Sequence, residues 1–231
     1  KVVRGRHFWD LVEGVRGGSK GPDGVVRVLR ERRVQYWDVI RGSPWVALLP
    51  PSSISGVLDE LTVAASSGVG PSSAVAEAAY AVSRHPNLLR LTPGEARRRL
   101  ELLRSLDVGQ GDIGLWSVVR SFPGLLTTSE ERILGAASFL EDVAGVQNVG
   151  RFVTRAPAVL TAGGADLREK YGLLRDNGLG TFELVRFPAY FSYPAERVGR
   201  RFRFLRGLTP LKSSQQPGGV RLDVICRGGD R

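Results

Sequence analysis

Arginine is the residue type in this chain with the most chemistry to offer. Of 33 basic side chains in 231 residues, only Lys1, Lys20, Lys170 and Lys212 are lysine. A guanidinium forks phosphate oxygens and stacks on bases, so an arginine-dominated surplus of +10 suits a polyanion partner. A GC-rich coding sequence would leave the same imprint, since Gly and Ala are abundant too. Position narrows the choice. Arg41, Arg84, Arg120, Arg155 and Arg186 each stand two or three residues before a proline. Such a row is either a ladder of phosphate contacts or a set of cations complementing helix dipoles, worth about 0.3–1 kcal/mol each. Arg197, Arg200, Arg201, Arg203 and Arg206 crowd a second stretch. There Val198, Phe202 and Leu205 form an apolar stripe at helical spacing, Arg200 and Arg203 point the other way, and the remaining three flank them. Five like charges on one helix repel unless a polyanion neutralises them. Arg27, Arg30 and Arg41 make a third group, opposite Val25, Leu29, Tyr36, Val39 and Ile40 in one helix expected over about 25–41.

Other chemistries fail in turn. There are two histidines, His7 and His85; His85 sits directly before a proline, a packing or capping place. Cys226 has no histidine near it, and no Cys/His cluster has zinc spacing. Gly14 to Gly21 lacks the Gly-Lys-Ser/Thr order of a phosphate loop, as does the stretch from Gly68. Asp59-Glu60 and Glu130-Glu131 are early-helix carboxylates, favoured there by the dipole. No catalytic residue, metal site or cofactor is assigned, and a non-enzyme is expected.

The elements that position the arginines are written as a repeat. Pro86-Asn-Leu88-Leu89, Pro123-Gly-Leu125-Leu126, Pro157-Ala-Val159-Leu160 and Pro188-Ala-Tyr190-Phe191 each follow a helix-like run, and a looser copy, Pro44 to Leu48-Leu49, precedes them. The prolines are 42, 37, 34 and 31 residues apart, inside the range of stacked repeats. Proline disfavours helix at the residue before it, so each run ends there. Thr92-Pro93-Gly94-Glu95 reads as a capping box and Thr128 to Glu131 as a second. Ala96, Leu100, Leu103 and Leu106 then share a helix face, as do Ile133, Ala137, Leu140 and Ala144, and Leu167, Tyr171 and Leu174. Gly109, Gly145 and Gly178 supply the stops. One unit cannot bury its own apolar face and a stack can. The expected fold is all-α, an α-solenoid of repeats of about 31–42 residues.

The array resembles the mTERF family, the mitochondrial transcription termination factor-like proteins of mitochondria and plastids. The repeated Pro-x-[Leu/Val]-Leu and the Leu-x-x-Leu-x-x-x-Gly helix ends carry the likeness, together with the closing segment from Phe191-Ser192 through Glu196-Arg197-Val198 to Phe204-Leu205. Arg200 stands where the family usually has proline. The likeness covers about residues 80 to 208. It implies an organellar protein holding nucleic acid on a basic surface, in transcription termination, RNA processing or ribosome assembly.

Organisation follows: basic helices over 1–43, the repeat array over 44–208, and a Pro/Gly-rich linker with a basic tail over 209–231. Residues 50–56 and 66–73 read as loops, and Val220 to Cys226 as a short strand or extended tail. The single cysteine fits a reducing compartment. No apolar run approaches a membrane span, so no membrane partner is expected. Residues 1–43 carry +5 and 192–231 carry +6, while the stretches between range from −2 to +2. A protein clamping a long duplex along its whole length should be basic throughout. The neutral middle therefore favours folded RNA, with rRNA and ribosomal proteins as partners in a mitochondrial (or plastid) ribosome. A double-stranded DNA regulator of transcription and a protein–protein scaffold are the alternatives.

Overall fold

In a computed structural model of the protein, residues 22–68, 70–110, 114–208 and 221–227 are described, and among them there is no strand. The α-helices are α1 (Pro22–Glu31), α2 (Tyr36–Gly42), α3 (Pro51–Ser66), α4 (Pro71–Arg84), α5 (Pro93–Ser105), α6 (Leu115–Ser121), α7 (Glu130–Ser138), α8 (Val149–Arg155), α9 (Gly164–Arg175), α10 (Thr181–Arg186), α11 (Ala195–Leu208) and α12 (Leu222–Arg227). Five 3₁₀ turns, starting at Pro44, Pro86, Pro123, Pro157 and Pro188, follow α2, α4, α6, α8 and α10.

Proline writes the same backbone five times. The residue before it leaves the helical region at nearly one conformation: φ,ψ of −141°,73° at Ser43, −139°,76° at His85, −141°,71° at Phe122, −143°,69° at Ala156 and −130°,70° at Phe187. The clash of the proline ring with the preceding residue is the cause. Each of those carbonyls then accepts the N–H three residues on, at Val46, Leu88, Leu125, Val159 and Tyr190, over 3.0–3.1 Å. That turn drives two side chains inward: Val46 and Ala47, Leu88 and Leu89, Leu125 and Leu126, Val159 and Leu160, Tyr190 and Phe191 are all buried. Burying each of the larger ones contributes about 1.5–3 kcal/mol. The fifth copy is therefore read one pair too late in the sequence, because Leu48 is 82% exposed while Val46 and Ala47 fill the place.

A second recurring device ends the longer helices. Val34, Val108 and Leu179 each donate their N–H to the residue five back, Leu29, Leu103 and Leu174, and Val146 reaches Leu140. The residue just before is left-handed each time: Arg33 (φ 59°), Asp107 (55°), Gly178 (70°) and Gly145 (68°). Gly109 is left-handed too, but Asp107, not Gly109, holds the equivalent place. A π-turn, Phe139–Val143, precedes Gly145.

Other expectations are corrected. The single helix over 25–41 is two, broken at Arg33, and Arg32 leaves the apolar face to pair with Asp59 at 2.6 Å and Ser55 Oγ at 3.0 Å. The loop at 50–56 gives way to α3, and the loop at 66–73 narrows to the connection between Ser66 and Pro71; Ile54, Val57, Leu58 and Leu61 are buried at helical spacing and override the Ser/Pro/Gly composition. At α7 the cap is Ser129, whose Oγ accepts from Arg132 N. The tail expected as strand is α12. The helix expected before Gly17, the glycine stretch at 14–21, His7 and the linker over 209–219 lie outside the described residues.

The chain divides into two compact units, Lys1–Leu102 with Gly114–Thr127 and Leu103–Ile113 with Thr128–Arg231. In the first, Gly56 lets α3 approach Pro93, which a Cβ would meet at 2.5 Å. Arg97 forks Glu60 there, and Arg99 donates to Leu126 O at 2.8 Å. In the second, buried Lys170 donates to Phe191 O and to Asp166, both at 2.8 Å, and Tyr190 Oη donates to Lys170 O at 2.7 Å. Arg99 and Lys170 are each the seventh residue of their helix, and each holds the carbonyl three residues after the next repeat proline.

Candidate nucleic-acid interface

The helices that run into the repeat prolines, the long α4 and the short α6, α8 and α10, all end at the residue two before the proline, so residues six and two before it lie one turn apart on one face. These positions hold Tyr80 and Arg84, Ser117 and Ser121, Arg151 and Arg155, Phe182 and Arg186. Successive helices of this set turn them onto shared grooves. Within the first unit, Tyr80, Arg84 and His85 face Ser117, Arg120 and Ser121 across about 470 Å³. Within the second, Arg151 and Arg155 face Phe182 and Arg186 across about 660 Å³, with Gln147 and Asn148 at one end. Among the described residues no carboxylate lines either groove. A third, smaller groove between α10 and α12 carries Arg155, Arg186 and Arg227 but also Glu183 and Asp223.

All five pre-proline arginines are exposed, yet they occupy two positions in the repeat rather than one. Arg84, Arg155 and Arg186 stand two residues before proline; Arg41 and Arg120 stand three before, about 100° further round the helix. Arg120 is held by Glu77 at 3.0 Å and lies over the Tyr80 ring at 5.2 Å. Arg155 donates to Val185 O at 2.9 Å and Arg186 O at 3.3 Å, so it caps the last turn of the following helix rather than its own. Arg186 stacks on Phe182 at 5.4 Å. Arg27 sits 4.0 Å from Glu31, and Arg30 lies 5.3 Å over the Tyr36 ring; neither lines a groove described above.

The cluster on α11 is divided. Arg200 and Arg203 are exposed. Arg201, again the seventh residue of its helix, donates to Ile225 O at 2.9 Å and to Cys226 O. Arg206 donates to Asp176 O, and half-buried Arg197 also has partners within the fold. The repulsion expected among five cations is thus partly relieved by carbonyl oxygens. A cleft between α9 and α11 sets Arg203 and Arg206 beside Glu169, Asp176 and Glu196, so that side is mixed in charge.

Charge is sorted by helix. The carboxylates of the neutral middle sit on or beside α7 and α9, as Glu130, Glu131, Glu141, Asp142, Asp166, Glu169 and Asp176. On the helices that run into the prolines Glu77 is tied to Arg120 and to Trp116 Nε1, and Glu183 is buried, accepting from Gly180 N at 2.9 Å. Averaging over whole repeats hid a basic edge. Tyr80, Ser117, Arg151 and Phe182 were missed for a related reason: counting back two or three residues from proline finds one turn, and counting back six finds the other. Burial pushes the Cys226 thiol up to about 12, an unreactive state. Among the described residues no cluster has metal-binding composition, and no helix is long and apolar enough to cross a membrane.

Stacked helix pairs, a proline-set turn and an arginine-lined edge define an all-α helical-repeat protein of the solenoid class. The chain belongs to the mTERF family, whose match spans residues 63–213, more than half of its length. That is a family of organellar nucleic-acid-binding proteins that are generally non-enzymatic. No curated protein matches the chain closely enough to stand as a relative.

Proposed function

We propose that the chain binds folded RNA, and serves as a structural or assembly component on the rRNA of a mitochondrial ribosome. The observation that carries this is the alternation of arginine with exposed aromatic side chains on the groove edge. Tyr80 is 47% and Phe182 39% exposed, each one turn from an arginine. Duplex DNA offers phosphates but keeps its base faces stacked. Loops, bulges and single-stranded junctions offer both, and aromatic stacking adds about 1–3 kcal/mol per base. The carboxylates on and beside α7 and α9 disfavour a polyanion there and suit basic ribosomal proteins. Arg200 and Arg203 extend the contact beyond the grooves. The recurrence of arginine two residues before the proline, at Arg84, Arg155 and Arg186, favours the second reading, a double-stranded DNA regulator of transcription.

Sedimentation of the native organelle extract separates the readings. Co-migration with a ribosomal subunit, abolished by RNase and weakened in the Arg151→Glu/Arg186→Glu variant, is expected. Migration with nucleoid DNA that resists RNase and is released by DNase would transfer the protein to transcription. Association indifferent to both nucleases would leave the scaffold reading.

A further inference from the structure

Among the described residues the groove of the first unit, between α4 and α6, is lined by hydroxyls, an imidazole and guanidiniums, with no carboxylate: Tyr80, Arg84, His85, Ser117, Arg120 and Ser121, closed by Pro123. Two of these are occupied. Arg120 holds Glu77, and Ser121 Oγ donates to Val118 O at 2.9 Å. The Arg84 guanidinium and the Ser117 and Tyr80 hydroxyls make no hydrogen bond within the described residues, and His85 Nε2 is buried with no partner. Polar groups gathered in one cavity without internal acceptors are completed by something rich in acceptors. Arg84 is unpaired, and Glu77, the carboxylate on the same helix, already accepts from Arg120 and Trp116 Nε1.

We propose that this cavity is a phosphate-binding pocket, with Arg84 as the charge contact and Ser117 and Tyr80 as hydroxyl donors. It rests on the nucleic-acid reading for its natural ligand, an RNA backbone phosphate. The same chemistry would take free phosphate. The charged and titratable groups that share the cavity with His85 are Tyr80 and Arg84 from α4 and Arg120 from α6, the last held by Glu77. Burial alone holds the imidazole below its ordinary range, so it is neutral at pH 7 in the empty pocket. An anion beside the ring favours the imidazolium, so occupancy raises the His85 pKa and phosphate binds more tightly as pH falls.

His85 and His7 are the chain's two histidines, so ring NMR titration reads the site directly, with His85→Gln assigning the signal. Three titrations are compared: protein alone, with inorganic phosphate, and with an RNA hairpin bearing an oligouridylate tail. The hairpin is expected to move His85 up by about one unit, which is tenfold in affinity across the titration. Arg84→Gln should remove the shift while leaving circular dichroism unchanged, because Arg84 has no internal partner. A shift with inorganic phosphate alone, and no hairpin binding, keeps the pocket and overturns the RNA reading of the whole protein. Hairpin binding that leaves His85 unmoved and is equal in wild type and Arg84→Gln overturns the pocket and spares that reading. No shift with either probe also overturns the pocket.

Discussion

Gly150→Ala is the sharpest test of how the second unit holds its basic edge. Gly150 lies in the first turn of α8, ahead of Arg151 and Arg155, and is buried against the turn that follows α5. A Cβ there would lie 2.4 Å from Asp107 O and 2.5 Å from both Asp107 C and Leu106 O. These are backbone atoms of a left-handed turn and cannot swing aside like a side-chain end. Moving the turn back by roughly 1 Å would also strain a relay in which Gly109 N donates to Thr154 Oγ1 at 2.8 Å and Thr154 Oγ1 donates to Gly150 O at 2.7 Å. Overpacking plus a weakened hydrogen bond costs about 2–4 kcal/mol. Alanine's helix preference returns about 0.5–1 kcal/mol. The net loss is about 1–3 kcal/mol, a fall in Tm of roughly 3–10 °C for a chain of this size. Gly135→Ala is the control, since a Cβ at that α7 position meets nothing within 4 Å and should stabilise. Thermal denaturation of both variants decides it. If Gly150→Ala melts at or above wild type while Gly135→Ala behaves as stated, the close approach of turn and helix is refuted.

Lys170→Met should cost about 1–3 kcal/mol in urea denaturation, because it strips the buried Phe191 carbonyl of its donor and leaves Asp166 unpaired. A loss below about 0.5 kcal/mol would mean the clamp contributes nothing. Glu95 accepts from Thr92 N at 2.7 Å and Thr92 Oγ1 at 2.9 Å, and these bonds hold its carboxyl below the usual range. Its contribution is therefore full above the unfolded-state carboxylate value of about 4.3 and disappears as pH falls through the lowered one. The Tm gap between wild type and Glu95→Gln should be open at neutral pH and close in acid; a gap constant with pH would rule out the capping carboxylate as its source.

Much of this architecture is legible because proline and the pair behind it act locally. The conformation at His85, Phe122 or Ala156 follows from the next residue alone, and needs no knowledge of what packs against it. Where the reading slipped, long-range packing or degeneracy was responsible. α3 looks like a Ser/Pro/Gly loop until its apolar face finds a partner. Asp107 substitutes for glycine because Asp tolerates the left-handed region better than most residues. Leu48-Leu49 outranks Val46-Ala47 on hydrophobicity, but distance from the proline decides which pair turns inward. The tail helix α12 is too short for periodicity to reveal, and the carbonyls of Ile225 and Cys226, held by Arg201, help fix it.

The functional edge was harder to see because one residue type fills two roles at similar places in the repeat. An arginine at the seventh place of a long helix, such as Arg99 or Arg201, reaches a carbonyl and holds neighbouring elements together. An arginine two residues before a proline ends its helix and faces a groove. Sequence counts both as positive charge, and the carboxylates on and beside α7 and α9 then cancel them. The relevant quantity is the charge that a ligand meets within a Debye length, about 8 Å at physiological ionic strength. On that scale the second groove presents Arg151, Arg155 and Arg186 with no lining carboxylate among the described residues, Glu183 and Asp223 lying in the adjoining groove, although the segment 123–156 carries a formal charge of −1. A near-neutral repeat can therefore carry a basic edge, and the neutral middle by itself excludes neither RNA nor DNA. The aromatic residues between the arginines tilt the choice toward RNA, because a duplex leaves no unstacked base face for Phe182 or Tyr80 to cover.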